Sequence, residues 1–295
     1  MKDFFLGFRE YLISVKKASA STLESYVRDC LQFVDFCREI AVDVSDVDID
    51  IISRYINSLK TAGKSHATLA RVVASLRCFY NYLCSAGEVT KNPLNGFKLT
   101  KEDKKLPEVL TNREVSLLLS TPSGGDYKSC RDKAMLELLY ATGIKVFEMI
   151  DLKVYDINLQ IGILHIHSPK ADRIVPIYPT AVKTLMHYVT NVRPAIVSDS
   201  DEDHLFTNMN GQPLTRQGFW KIVKHYADLA GIEKEITPHT LRHSFAANLL
   251  ENGAQLKDIK EMLGHSDISS TQVYAQILKN KYAQAYKRYH PMASK

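Results

Sequence analysis

The sequence predicts a mainly α protein with a small β-sheet, built as an all-helical N-terminal domain followed by an α+β domain. Three observations carry that expectation. Apolar residues recur at helical spacing through most of the N-terminal third. A charged, poorly patterned stretch, LTKEDKKLP, then interrupts the pattern. Beyond it, two short, partly alternating runs, ILHIH and RIVPIY, stand among further helical segments. The expected boundaries are a helical domain over 1–97, a linker over 98–107 and a second domain over 108–295. At 295 residues the chain is long enough for each domain to bury its own core.

In order along the chain, FFLGFREYLISV has apolar residues at helical spacing. Ser21 and Glu24 make a capping box for a helix through SYVRDCLQFVDFCREI. A third helix is expected over 49–61, and a fourth over 65–86 that Gly87 ends. Past the linker, Thr111 and Glu114 make another capping box, opening a helix that stops near Thr121 and Pro122. Residues 129–141 read as a long buried helix broken at Gly143, with a short helix over 145–150. ILHIH and RIVPIY read as a hairpin closed by the turn SPKAD. Helices follow at about 179–191, 215–229, 238–251 and 256–263, and the acidic run DSDED reads as a solvated loop. No internal repeat or low-complexity segment is present.

The chain is 45% hydrophobic and 24% charged, ordinary values for a soluble globular protein. No run of apolar residues is long enough to predict a membrane span. Asp3, Arg9 and Glu10 interrupt the apolar N-terminus, which suits an amphipathic helix and not a signal peptide. The 5 cysteines form no CxxC pair and are odd in number, so reduced thiols and a cytoplasmic location are expected. The net charge of +5 is unevenly spread. Residues 51–101 hold eight Lys/Arg, among them Lys60, Arg71 and Arg77, against the single acid Glu88. Such a stripe is either a surface for phosphate backbone or a solvated helix face, and the count alone does not choose.

The chemistry concentrates in TPHTLRHSFAANLL, residues 237–250. At helical pitch His239, Arg242 and His243 fall within about 100° of one another, opposite Leu241, Phe245 and Leu249. Thr237 can cap the helix and Pro238 suits its first position, so these side chains crowd a helix start that already favours an anion. Downstream, LGHSDISSTQVYAQI places His265 just past a helix ended by Gly264, and Tyr274 nine residues later on a short helix. Arg offers a planar fork for phosphate oxygens, and His supplies donors and proton transfer near neutral pH. Tyr becomes a nucleophile when a base or nearby positive charge activates its phenol. Singly, a His at a helix start is a cap and a Tyr on a short helix is a packing aromatic. Only their combination points to an active site.

That combination, TPHTLRHSFAANLLENGA with IKEMLGHSDISSTQVYAQI, resembles the tyrosine recombinase (phage integrase) family, and within it the Xer-type site-specific recombinases. The resemblance spans essentially the whole chain and implies a core-binding N-terminal domain and a tyrosine recombinase catalytic domain ending in an exchange helix. It implies that Tyr274 attacks a DNA phosphodiester, giving a 3′-phosphotyrosyl link and a 5′-hydroxyl. Arg242 and His265 would hold the non-bridging oxygens, and His239 would assist proton transfer from the tyrosine. Lys170 in the SPKAD turn would protonate the leaving 5′-oxygen, although this turn is about one residue shorter than the family's. Where YATGIKVFEMIDL resembles the stretch with the family's first catalytic arginine, this chain has Lys145, which keeps the charge but loses the bidentate fork. Glu148, one turn later, is placed to orient it. The departure leaves open an attenuated recombinase, natural or by deliberate substitution, and a DNA-binding relative that does not cut.

Fixed cationic donors where charge develops make a metal unnecessary, and no HExxH or clustered carboxylates argue for one. His165 and His167 alternate on a strand but are not read as a metal site, and no cofactor is expected. The tail QILKNKYAQAYKRYHP places Tyr282, Tyr286 and Tyr289 on one helical stripe. That stripe either packs on its own domain or, as the resemblance implies, docks into a neighbouring protomer. The partners implied are double-stranded DNA, further copies of the chain in a tetramer on paired sites, and a partner recombinase or accessory protein. The implied role is chromosome dimer resolution or mobile-element movement. A type IB topoisomerase-like relaxing enzyme shares the chemistry and stands as the other alternative.

Overall fold

A computed structural model describes residues 4–100, 106–168, 172–197, 202–265, 267–268, 270–277 and 279. The linker centre, the turn bearing Lys170, and the tail with Tyr282, Tyr286 and Tyr289 lie outside the described residues. The chain divides into two compact units, Met1–Lys104 and Lys105–Lys295.

Among its described residues the first unit holds four α-helices: α1 (Phe4–Ser14), α2 (Ala20–Glu39), α3 (Ile49–Thr61) and α4 (His66–Ser85). α4 packs against the other three, and Phe8, Phe33, Ile52, Leu76, Phe79 and Tyr80 are fully buried between them. Asp48 caps α3 and Ser65 caps α4 through their side-chain oxygens. The cap of α2 differs from expectation. Ser19 takes the extended cap conformation and accepts from Thr22 N, leaving Ser21 and Glu24 inside the helix. The reason is local: Ala18 N bonds back to Leu12 O, so the chain completes its turn early and enters α2 two residues sooner.

The second unit begins with α5 (Asn112–Ser120), whose Thr111–Glu114 capping box is formed. α6 (Tyr127–Thr142) follows and is buried along most of its length. It ends at Gly143, which adopts φ +58; a Cβ there would also collide with the Phe245 ring. The short α7 (Val146–Asp151) leads into an antiparallel sheet of order β1-β2-β3. Its strands are β1 (Ile157–Asn158), β2 (Ile163–Ile166) and β3 (Arg173–Pro176), with Leu164 opposite Val175 and Ile166 opposite Arg173. The hairpin alone was expected; β1 is too short for alternation to reveal.

The helix expected over 179–191 is instead α8 (Pro179–His187), a π turn over Tyr188–Val192, and α9 (Arg193–Ile196). Pro194 explains the wide turn, because it has no N–H for the preceding turn and its ring crowds that turn's carbonyl. Asp203, at the described end of the run expected to be solvated, is exposed and pairs with Lys153 at 2.6 Å. α10 (Arg216–Leu229), α11 (Pro238–Glu251) and α12 (Leu256–Leu263) complete the named helices, and residues 270–277 are helical. α11 packs on both α6 and α12, and α12 packs on β3. That arrangement brings the ends of α6, α11 and α12 together.

Candidate active site

α11 starts with Thr237 accepting from Thr240 N and Pro238 in the first turn, as its sequence predicts. Arg242 lies one turn in and is only 4% exposed. Its guanidinium donates to Gly143 O, at the end of α6, and to Leu263 O, at the end of α12, the latter at 2.6 Å. Terminal helix carbonyls lack intrahelical partners, so they are natural acceptors for a cation. Burial pushes the Arg242 pKa down to about 10, with Tyr274 and Glu148 opposing the shift. It therefore stays charged at neutral pH.

A second guanidinium braces the same helix end. Arg173, at the start of β3, donates Nε to Met262 O at 2.8 Å and makes a two-pronged pair with Glu148 at 3.0 and 2.7 Å. Glu148 also accepts from Lys145 N at 2.9 Å, and the Lys145 ammonium lies 3.9 Å away. Burial raises the Glu148 pKa, but bonds from Arg173 and the Lys145 backbone outweigh that and hold it below the usual carboxylate range. Glu148 thus does contact Lys145, while its strongest geometry goes to Arg173. Arg173 was missed from sequence. The available signal was its register opposite the buried Ile166, a position where a charge requires a partner.

Gly264 ends α12 in the left-handed conformation and turns His265 into a cavity of about 740 Å³. Lys145, Arg173, Lys260, Ser168 and Asp172 also line it. Ser168 and Asp172 flank the turn that carries Lys170, whose own position lies outside the described residues. The His265 Nδ1 is 3.0 Å from Thr271 Oγ1. Burial, then the charges of Arg242 and Lys145, push its pKa down to about 4, so the ring is neutral at pH 7.

Tyr274 is 1% exposed and packs with Phe245, Ala246, Ile259 and Leu263. Its hydroxyl lies 3.0 Å from Nδ1 of His243. Burial raises the phenol's pKa while the charge of Arg242 works to lower it. His239 sits at the exposed face of the helix start; partial desolvation, then Arg242, lowers its pKa. The second unit therefore gathers Arg242, His243, His265 and Tyr274 around one helix junction, with Lys145 and Arg173 beside His265. Arg216 of α10 and Lys145 both approach the exposed Phe147 ring, at 5.6 Å each, a basic and aromatic pairing not foreseen from sequence.

The three basic residues singled out in the first unit fare differently. Arg71 pairs with buried Asp29 at 2.5 Å. Arg77 is exposed and donates to Phe97 O at 3.0 Å, while Lys60 is exposed beside Ser53, His66 and Lys98. All 5 cysteines are free thiols. Among the described residues, no helix is long and apolar enough to cross a membrane. Glu202, Asp203 and His204 are the one trio of grouped potential metal ligands among them. Asp203 in that trio is already engaged by the Lys153 ammonium.

A mostly helical unit that ends in this Arg, His and Tyr cluster is the catalytic half of a phage integrase. Residues 108–281 match the phage integrase family, and residues 6–87 match the phage integrase N-terminal SAM-like domain. The chain belongs to that family, the tyrosine recombinases, and is a site-specific recombinase that breaks and rejoins DNA. It is 41% identical over 297 residues to tyrosine recombinase XerD of Listeria innocua serovar 6a, covering 99% of this chain and 100% of that protein. Among solved structures, XerA recombinase is 28% identical with a TM-score of 0.56, covering 98% of both chains. XerH recombinase, bound to its palindromic difH substrate after cleavage, shares the fold at 21% identity. Its TM-score is 0.78, over 95% of this chain and 83% of that one.

Proposed function

We propose that Tyr274 is the nucleophile of this recombinase, attacking a phosphodiester of double-stranded DNA to form a 3′-phosphotyrosyl link and release a 5′-hydroxyl. The observation that carries the reading is a buried, charged Arg242 braced by two carbonyls beside a buried Tyr274. Carbonyls orient a guanidinium without cancelling its charge, so the cation remains available to a phosphate entering a low-dielectric site. Arg242 and His265 hold the non-bridging oxygens. With the Thr271 hydroxyl donating to Nδ1, the neutral His265 carries its proton on Nε2 and donates it to the phosphate. His239, neutral in its lowered range, assists proton transfer from the tyrosine, and Lys170 protonates the leaving 5′-oxygen. Lys145 supplies a single ammonium where the family uses an arginine, which makes the enzyme an attenuated recombinase.

The 98–107 segment links a core-binding domain to the catalytic domain, and exposed Lys60 and Arg77 contact phosphate backbone. The enzyme works in the cytoplasm as a tetramer on paired sites, with a partner recombinase or accessory protein in some assemblies. Its role is chromosome dimer resolution or integration and excision of a mobile element. Support for the tetramer comes from the tyrosine stripe of the tail, together with an apolar cavity of about 390 Å³ lined by Tyr140, Phe245, Leu249 and Met262 that suits such a segment.

A nicked duplex that lets the cleaved fragment diffuse away tests the reaction, because the protein then accumulates as a covalent adduct. Recombinant product from two such sites supports recombination, whereas relaxation of supercoils without exchange supports the topoisomerase alternative. Binding without any adduct would overturn the catalytic reading. Deleting residues 277–295 is expected to impair pairing of two duplexes more than binding to one; normal pairing would make the tail an ordinary packing helix.

A further inference from the structure

The mechanism above leaves His243 without a task, yet His243 is the side chain that meets the reacting oxygen. Its Nδ1 lies 3.0 Å from the Tyr274 hydroxyl, with ring centroids 5.7 Å apart. The Tyr274 ring is gripped by Phe245, Ala246, Ile259 and Leu263, but apolar packing leaves the O–H bond able to rotate about the phenol axis. An acceptor at one fixed point removes that freedom. We propose that His243 is the positioning residue of the nucleophile: Nδ1 accepts the phenolic O–H and so sets the direction of the oxygen's lone pairs. The inference rests on Tyr274 being the nucleophile.

Three features support the assignment. Nδ1 accepts only when the ring is neutral with its proton on Nε2. Burial, then the neighbouring His239 and Arg242, push the His243 pKa down to about 4, which keeps the ring neutral at working pH. His243 also directly follows Arg242 on α11, so one rigid turn aims both the phosphate holder and the nucleophile holder. Finally, that turn is fixed at both ends of its contacts, by the Thr237 cap and by the Arg242 bonds to α6 and α12. Misplacing a reacting atom by about 1 Å can cost on the order of 100-fold in rate.

The chemistry of substitution separates positioning from packing. In asparagine, Oδ1 is attached to Cγ as Nδ1 is in histidine, so His243→Asn can accept the same hydrogen bond. His243→Gln places its oxygen one bond further out, near the site of Nε2, and His243→Leu removes the acceptor. The experiment is single-turnover adduct formation on the nicked duplex by the full chain, with duplex affinity and thermal unfolding measured alongside. His243→Leu is expected to slow adduct formation roughly 10- to 100-fold at unchanged affinity, with Asn recovering most of the loss and Gln little. A leucine variant that cleaves at the wild-type rate would overturn the proposal, as would Gln equalling or exceeding Asn. Should the leucine variant fail to fold, the order of Asn and Gln decides alone. A Tyr274→Phe control keeps the two ideas apart. If it forms no adduct, the His243 series judges only the positioning role; if it still forms one, the nucleophile assignment falls and the positioning role with it.

Discussion

Arg242 and Arg71 are both helix arginines, the first buried and the second partly exposed, and they spend their charge differently. Arg71 faces the buried carboxylate of Asp29 at 2.5 Å and is cancelled by it. Arg242 faces the carbonyl ends of two helices and keeps a net charge in a dry setting. The first arrangement holds a domain together; the second makes a place for an anion. Counting basic residues cannot tell these apart, because what matters is the partner that already neutralises each one.

The largest effect expected from this contrast is on cleavage by Arg242→Ala. Removing a fixed donor at a developing charge costs about 100- to 1000-fold in rate. Single-turnover adduct formation should show that loss with duplex binding little changed, and a loss under tenfold would break the comparison. Arg71→Ala should do the reverse. It strands a buried carboxylate, which lowers stability by up to about 3 kcal/mol in chemical denaturation. Normal stability in that variant would mean that Asp29 does not need its partner.

Lys145→Arg sharpens the contrast within the site. A charged hydrogen bond is worth roughly 1.5 to 3 kcal/mol, or about 10- to 150-fold if realised in the transition state. A faster arginine variant of equal affinity is the expected result in the same cleavage assay. Equal or slower cleavage would show a pocket adapted to lysine, with Glu148 already saturated by the fork of Arg173.

A pH effect follows from the neutral rings beside Arg242. His243 and His265 both titrate near 4 in the folded protein, below the ordinary value of 6.5. As pH falls from about 6.5 towards 4, the unfolded chain takes up these protons before the folded one, so stability falls through that window. Thermal unfolding should show the decline, and His243→Asn should shrink it. A decline unchanged in that variant would place its origin elsewhere.

The smallest effect separates the exposed cations from the paired one. Replacing Lys60 and Arg77 together should flatten the slope of log affinity against log salt by up to about 2 units, whereas Arg71→Ala should leave it nearly unchanged. An equal change in both would erase the distinction drawn from Asp29.

Legibility in the sequence followed the range of the forces involved. Caps and glycine stops act over a few residues, so α5, α11 and the Gly264 end of α12 were readable from Thr111, Thr237 and Gly264 themselves. Ser19 rather than Ser21 caps α2 because of a bond back to α1, and the widened turn before Pro194 looked like a continuous helix. The motif residues His239, Arg242, His265 and Tyr274 were visible as a pattern of types. The partnerships among them were not. Arg173 with Glu148, Arg71 with Asp29 and His243 with Tyr274 span 25, 42 and 31 residues, and only folding brings such pairs together.

The central claim is that the buried tyrosine beside Arg242 carries the covalent step. Tyr274→Phe removes one oxygen from a packed ring, so folding and duplex affinity should stay close to wild type. Incubated with the nicked duplex, wild-type protein is expected to accumulate a DNA-linked species and the phenylalanine variant none at all. A covalent adduct formed by the phenylalanine variant would contradict the account.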